Sequence, residues 1–211
     1  MLSLVRMRRF CLTLLLLVSC GRSDGLWIAK TKTIEKTGPT FKIKLEHPVI
    51  AGAPEAFNKQ LAEAALIHLE QVENDPVPID EYAKNIAEES AGRQWAFESI
   101  MTVAYQSPTT LTTLCKTYTN TGAAHPNVFQ YYEVYDRKTG KRLELSDLLE
   151  SGKLDAIRAL ANVTGDFPNE PQIGLLKDHA VFRPDPDSRM VLVAQIPYEK
   201  LKGILKSQYL P

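Results

Sequence analysis

The residues of this chain that could do chemistry are four histidines, three cysteines and a scatter of carboxylates. His47, His68, His125 and His179 fall at a strand end, on a helix, in a turn and in a loop, and no two of them have the spacing of a zinc site. No metal is therefore expected. The chain has no phosphate-cradling glycine loop and no serine-centred nucleophile elbow, so no cofactor and no catalytic residue is assigned. Cys115 lies in the alternating segment LTTLCKTY without a base beside it, which predicts a buried, inert thiol. DPDSR at Asp185 to Arg189 lacks the glycine and the terminal glutamate of a calcium loop. Glu88 and Glu89 are adjacent on a predicted helix and point different ways, as a solvated face does. His68, beside an apolar helical stripe, reads as a flank residue.

His125 has the most specific setting, TGAAHP at Thr121 to Pro126. Gly122 permits positive φ, Ala123 and Ala124 allow close approach, and Pro126 holds His125 extended before an aromatic run. That explains a turn without chemistry, with the imidazole capping a backbone group. Two sharper alternatives remain: a partner-binding surface formed by His125, Tyr131 and Tyr132, or a hydrolytic site formed by His125 and Asp147.

The elements that must position these residues follow from period and breakers. FKIKLEHPVI alternates as a strand and should end at His47-Pro48. Phe57, Leu61, Ala65, Leu69 and Val72 form one helical stripe, ended by Pro76 and Pro78. A second helix runs over IDEYAKNIAEESAG, and WAFESIMTVAYQ and LTTLCKTYT make a hairpin across SPTT. In NVFQYYEVYD, Phe129, Tyr131 and Tyr135 share one face and Val128, Tyr132 and Val134 the other, before a turn at RKTG and the segment KRLEL. Ser146 should cap a short helix, and Leu154, Ile157, Leu160 and Ala161 mark another. Residues 162–189 read as irregular, with HAVF as an apolar island. The C-terminus reads as a strand followed by a helix from Pro197 that carries Leu201, Ile204 and Leu205. The fold class is α+β, an antiparallel meander with packed helices.

The chain opens with Arg6, Arg8 and Arg9, then an apolar run from Phe10 to Val18 too short to span a bilayer. That is a secretory signal over residues 1–19. It ends in Leu17-Val18-Ser19-Cys20, the pattern of a lipobox, so Cys20 is expected to be acylated and residues 20–29 to form the lipidated cysteine and tether. Gly21, where aspartate would retain a lipoprotein in an inner membrane, favours the periplasmic face of the outer membrane, or the cell surface in a Gram-positive cell. Lys plus Arg and Asp plus Glu each number 25, for a net charge of +0, and no basic patch points to nucleic acid. With Cys11 removed and Cys20 acylated, Cys115 has no disulfide partner.

TGAAHP, YYEVYDRKTGKRLELSDLL at Tyr131 to Leu149, and IPYEKLKGIL at Ile196 to Leu205 together resemble the exported domain of RsiV-type anti-sigma factor ectodomains. FKIKLEHPVIAG is similar to the small domain that commonly precedes it. The resemblance implies an N-terminal α+β lobe over 30–120 and an RsiV-like lobe over 121–211. It implies as partners a lysozyme-like protein or peptidoglycan, with the membrane reached through the anchor. No sigma-binding segment precedes the apolar run and no deacetylase domain follows, so neither signalling nor deacetylation by this chain alone is expected. A wall hydrolase and an envelope assembly factor are the other readings.

Overall fold

The computed structural model describes residues 26–70, 76–90, 92–162, 171–183 and 193–210. Residues 1–19, read as a signal sequence, Cys20, most of the expected tether, Val72 and the DPDSR segment lie outside them. Two strands open the described chain, β1 (Ile28–Thr37) and β2 (Phe41–Ala51), paired antiparallel. Two helices, α1 (Glu55–Glu70) and α2 (Ile79–Glu89), carry the chain back to the start of β3 (Trp95–Gln106). A helical return of this kind forces β3 to lie parallel to β2, from Phe41 opposite Trp95 to Glu46 opposite Ile100. The rest is the expected meander: β4 (Thr110–Asn120), β5 (Asn127–Asp136) and the short β6 (Arg142–Leu143), giving a six-stranded sheet in the order β1-β2-β3-β4-β5-β6.

β2 does not end at His47-Pro48 but continues to Ala51. Beyond Glu46 only β1 pairs with it, so a proline without an N–H is tolerated on the side that has no partner strand. Past that point Asn58 of α1 closes the strand like a neighbour, accepting Ile50 N–H at 2.7 Å and donating to Ile50 O at 3.1 Å. β1 was not foreseen, because its side chains are mostly exposed lysines and threonines with no apolar alternation.

One face of the sheet packs against α1 through Phe57, Leu61, Ala65 and Leu69, which are all buried with Ile43, Phe97, Met101, Cys115 and Tyr135. The opposite face of β5 carries the second core. There β7 (Gln172–Leu175), β8 (His179–Arg183) and β9 (Ala194–Pro197) form a three-stranded antiparallel sheet, packed with α3 (Leu145–Leu148), α4 (Leu154–Leu160) and α5 (Tyr198–Leu201). The expected two faces of β5 are those observed: Tyr131 and Tyr135 enter the first core, Val134 the second. Strands β7 and β8 occupy the part of the segment read as irregular that surrounds HAVF; residues 163–170 and 184–189 of that segment lie outside the described residues. Thr112 donates to Leu175 O at 2.7 Å and the Arg183 guanidinium donates to Gln130 O, tying the two sheets together.

Turn chemistry departs from expectation at two points. Ser146 does not cap α3; Glu144 does, in a reciprocal capping box with Asp147. The helix after Pro197 is a single turn: Lys202 is already extended, with ψ 126°, and Gly203 then takes φ 74°. RKTG behaves as read: Gly140 has φ 74° and Asp136 accepts from Thr139 N at 2.7 Å.

His47 is buried, its Nδ1–H donates to Pro48 O at 3.3 Å, and its Nε2 has no hydrogen-bond partner among the described residues. Burial holds its pKa below the ordinary 6.5, against the pull of the Pro48 bond, and the Lys32 ammonium adds to the lowering. The unfolded chain therefore binds this proton first as pH falls. Stability from this site is complete above about 6.5 and declines below it toward the folded pKa. Urea melts from pH 8 to 5 should show that decline, and replacing His47 by Gln should remove it.

Candidate functional site

β6 pairs with β5 only at Val134 and Tyr135, so the N-terminal part of β5 has no strand beyond it among the described residues. The exposed edge is handled by a side chain: Tyr132 N–H donates to Gln172 Oε1 at 3.0 Å. A cavity of about 190 Å³ opens here, lined by His68, Tyr132, Glu133, Arg142, Glu144 and Gln172 among others. It lies where the two cores meet.

Glu133 is its centre. Alternation along β5 puts this carboxylate on the buried face between Tyr131 and Tyr135. Tyr135 Oη donates to Oε2 at 2.6 Å, Arg142 Nη1 donates to Oε1 at 3.1 Å, and His68 Nε2 stands 3.4 Å from Oε1. The imidazole is held by stacking on Tyr131, with centroids 4.2 Å apart and planes 13° apart. Burial pushes the Glu133 carboxyl up, but the His68 imidazole beside it, then Tyr135 and Arg142, outweigh it and bring the pKa to about 2. Tyr135 moves the other way, well above the ordinary phenol value, from burial and the adjacent carboxylate.

Arg142 faces both ways. Inward it holds Glu133; outward its Nε and Nη2 donate to Glu144 Oε1 at 3.1 and 2.9 Å. Its side chain is 50% exposed and that of Glu144 47%, against 6% for Glu133. The outer pair is thus open to solvent and the inner one is not.

The residues singled out from sequence are dispersed. His125 is exposed in the β4–β5 loop and caps no backbone group among the described residues. Tyr131 is buried under His68 and Tyr132 points to the opposite face, over Gly174. Asp147 sits in the α3 capping box, 3.0 Å from Lys141 Nζ. His125 precedes β5 at Asn127, whereas β6, which leads into α3, pairs with the other end of β5 at Val134 and Tyr135. Cys115 is buried as expected, its Sγ 3.1 Å from Ser99 Oγ, and burial pushes the thiol up to about 12.

His68, Glu133 and Arg142 were not assigned from sequence. A signal did exist, a carboxylate between two tyrosines on the inward face of a strand. Its partners come from a distant helix and the next strand, and only the fold brings them together. Among the described residues no three His, Cys, Asp or Glu side chains are gathered as a metal ion requires, and no helix is long and apolar enough to cross a membrane.

Residues 34–128 match the model of the family described as "Deacetylase PdaC". The match is a little under half the chain; it contains His68 and stops before Glu133 and Arg142. Two solved structures share the fold. A DUF3298 family protein from Pseudomonas aeruginosa PAO1 is 20% identical with a TM-score of 0.64, over 88% of this chain and 95% of that one. A member of the same family from Bacteroides fragilis NCTC 9343 is 16% identical with a TM-score of 0.60, over 87% and 95%. No curated protein matches the chain.

Proposed function

We propose that this protein is an exported, lipid-anchored protein of the bacterial cell envelope that binds peptidoglycan through the carboxylates of its peptides, without transforming it. The observation that carries this reading is Arg142, whose outer partner is a half-exposed glutamate and whose inner partner is buried. A ligand carboxylate can displace Glu144 while Glu133 keeps its own partners, so exchange leaves no charge unpaired inside the protein. The fork geometry of guanidinium suits a carboxylate. A cavity of about 190 Å³ suits a small group rather than a protein surface.

Binding is favoured over catalysis because Glu133 at the cavity, and Cys115 and Tyr135 behind it, are each held in one protonation state near neutral pH. Glu133 sits at about 2, Cys115 at about 12 and Tyr135 well above its ordinary value. General acid–base work needs a pKa near the operating pH. The match to the PdaC family over residues 34–128, the RsiV-type motifs and the lipobox at Cys20 add support for an envelope setting.

Co-sedimentation with purified sacculi is the test. The protein should pellet with sacculi and Arg142→Ala should largely stay in the supernatant. Capture by a lysozyme-like protein with no binding to sacculi would replace the ligand, and failure with both would remove the reading. The anchor is tested separately. Cys20→Ala should move the protein from the membrane fraction to the soluble one, and retention would contradict acylation.

A further inference from the structure

We infer that the start of β1 is a second membrane contact, in which Leu26 and Ile28 enter the surface of an anionic bilayer and Lys30 and Lys32 meet its phosphates. This rests on the reading that Cys20 carries lipid. Leu26 is 48% and Ile28 68% exposed, and Val128 and Leu160 are the other large apolar side chains so exposed among the described residues. Unlike those two, Leu26 and Ile28 are neighbours. They flank a residue that cannot move: Trp27 N–H donates to Gln106 Oε1 and Trp27 O accepts from Gln106 Nε2, both at 2.9 Å. Its ring packs 5.2 Å from Phe57, with the Arg137 guanidinium 4.8 Å from the ring centroid. With the backbone clamped and Trp27 turned to the core, alternation directs the side chains on either side of it outward.

Lys30 and Lys32 follow on the same strand, ahead of the point where Ile34 packs against the first core, and both are exposed. Leu26 to Ile34 reads LWIAKTKTI, with two cations and no acid. An apolar pair followed by cations is the pattern of a headgroup-level contact, in which apolar groups enter the interface and lysines stay at the phosphates. Chain length makes the contact reachable. Five residues lie between Cys20 and Leu26, and the six steps from one Cα to the other span at most about 20 Å of extended chain. The anchor therefore holds this edge at the bilayer, where even a weak second contact is populated because it is intramolecular. Its effect is to orient the domain, with β1 at the membrane and the β6 edge at the far side of the sheet.

The test uses the mature lipidated protein in phosphatidylethanolamine–phosphatidylglycerol vesicles, with a nitroxide at Ile28→Cys or at Val128→Cys. Both sites are exposed, and Cys115 is too buried to compete for the label. On floated vesicles the label at 28 should be several-fold more accessible to dissolved oxygen, and less to an aqueous nickel complex, than the label at 128. Equal aqueous exposure of both labels on vesicle-bound protein overturns the contact while leaving the anchor intact. Protein that does not float overturns the anchor and this inference together. Lys30→Glu with Lys32→Glu should move the label at 28 toward water, and an unmoved label removes the phosphate contact.

Discussion

Replacing Glu133 by alanine is expected to destabilise the protein by roughly 3–5 kcal/mol, the range for breaking a buried ion pair from one side. The loss comes less from the attraction removed than from what is stranded. Tyr135 Oη loses its acceptor, His68 loses its carboxylate, and Arg142 keeps only the exposed Glu144. An apolar core of the same shape could be as stable, so the cluster is not argued to be favourable in itself. The same residue governs acid stability. Its pKa falls from the ordinary 4.5 to about 2 on folding, so the folded state binds this proton less readily than the unfolded one. The stabilisation is complete above about 4.5 and is lost as pH falls toward 2, amounting to about 3 kcal/mol. It is distinct from the His47 decline, which begins near 6.5. Glu133→Gln should keep the Tyr135 bond, cost less than alanine and abolish the lower transition. Urea melts at pH 7 and between pH 5 and 2.5 decide the matter; a loss under about 1 kcal/mol for Glu133→Ala would mean the cluster is solvated rather than buried.

Gly174→Ala should cost about 1–3 kcal/mol by overpacking, without any backbone strain. A Cβ on Gly174 would lie 2.6 Å from Tyr132 Cδ1 and 2.7 Å from Val181 Cγ2. Neither atom is the end of a flexible chain. Tyr132 is on β5, whose backbone is tied to Gln172, and Val181 is buried at 2% exposure in β8. The added methyl must push β7 away from β5, which opens the seam beside the Arg142 cavity. A fall in the urea midpoint with an unchanged slope is the expected result. A change under about 0.5 kcal/mol would mean that the two sheets separate without cost.

Much of the architecture was legible because it depends on local period. The α1 stripe, the β3–β4 hairpin, the two faces of β5 and the RKTG turn all follow from side-chain spacing and from residues with special backbone freedom. What was not legible depended on partners. β1 carries exposed lysines and is a strand because β2 pairs with it. Strands β7 and β8 are four and five residues long, too short for a period to stand out among prolines. The parallel joint of β2 and β3 follows from the helical return, which the strand sequences do not reveal. His125 drew attention through its neighbours, which shape a turn. Glu133 did the opposite: an ordinary glutamate in sequence, it became the centre of a site once His68 and Arg142 were folded onto it.

The central claim is that the cavity at Arg142 holds a carboxylate-bearing wall peptide and leaves it unchanged. Titration of the protein with soluble muropeptides, followed by chromatography of the recovered muropeptides, tests both halves. The account predicts saturable binding, weakened at least about tenfold in Arg142→Ala as expected for loss of a charge-assisted pair, with an unaltered muropeptide profile. Absence of binding, equal binding by Arg142→Ala, or a changed profile would contradict it.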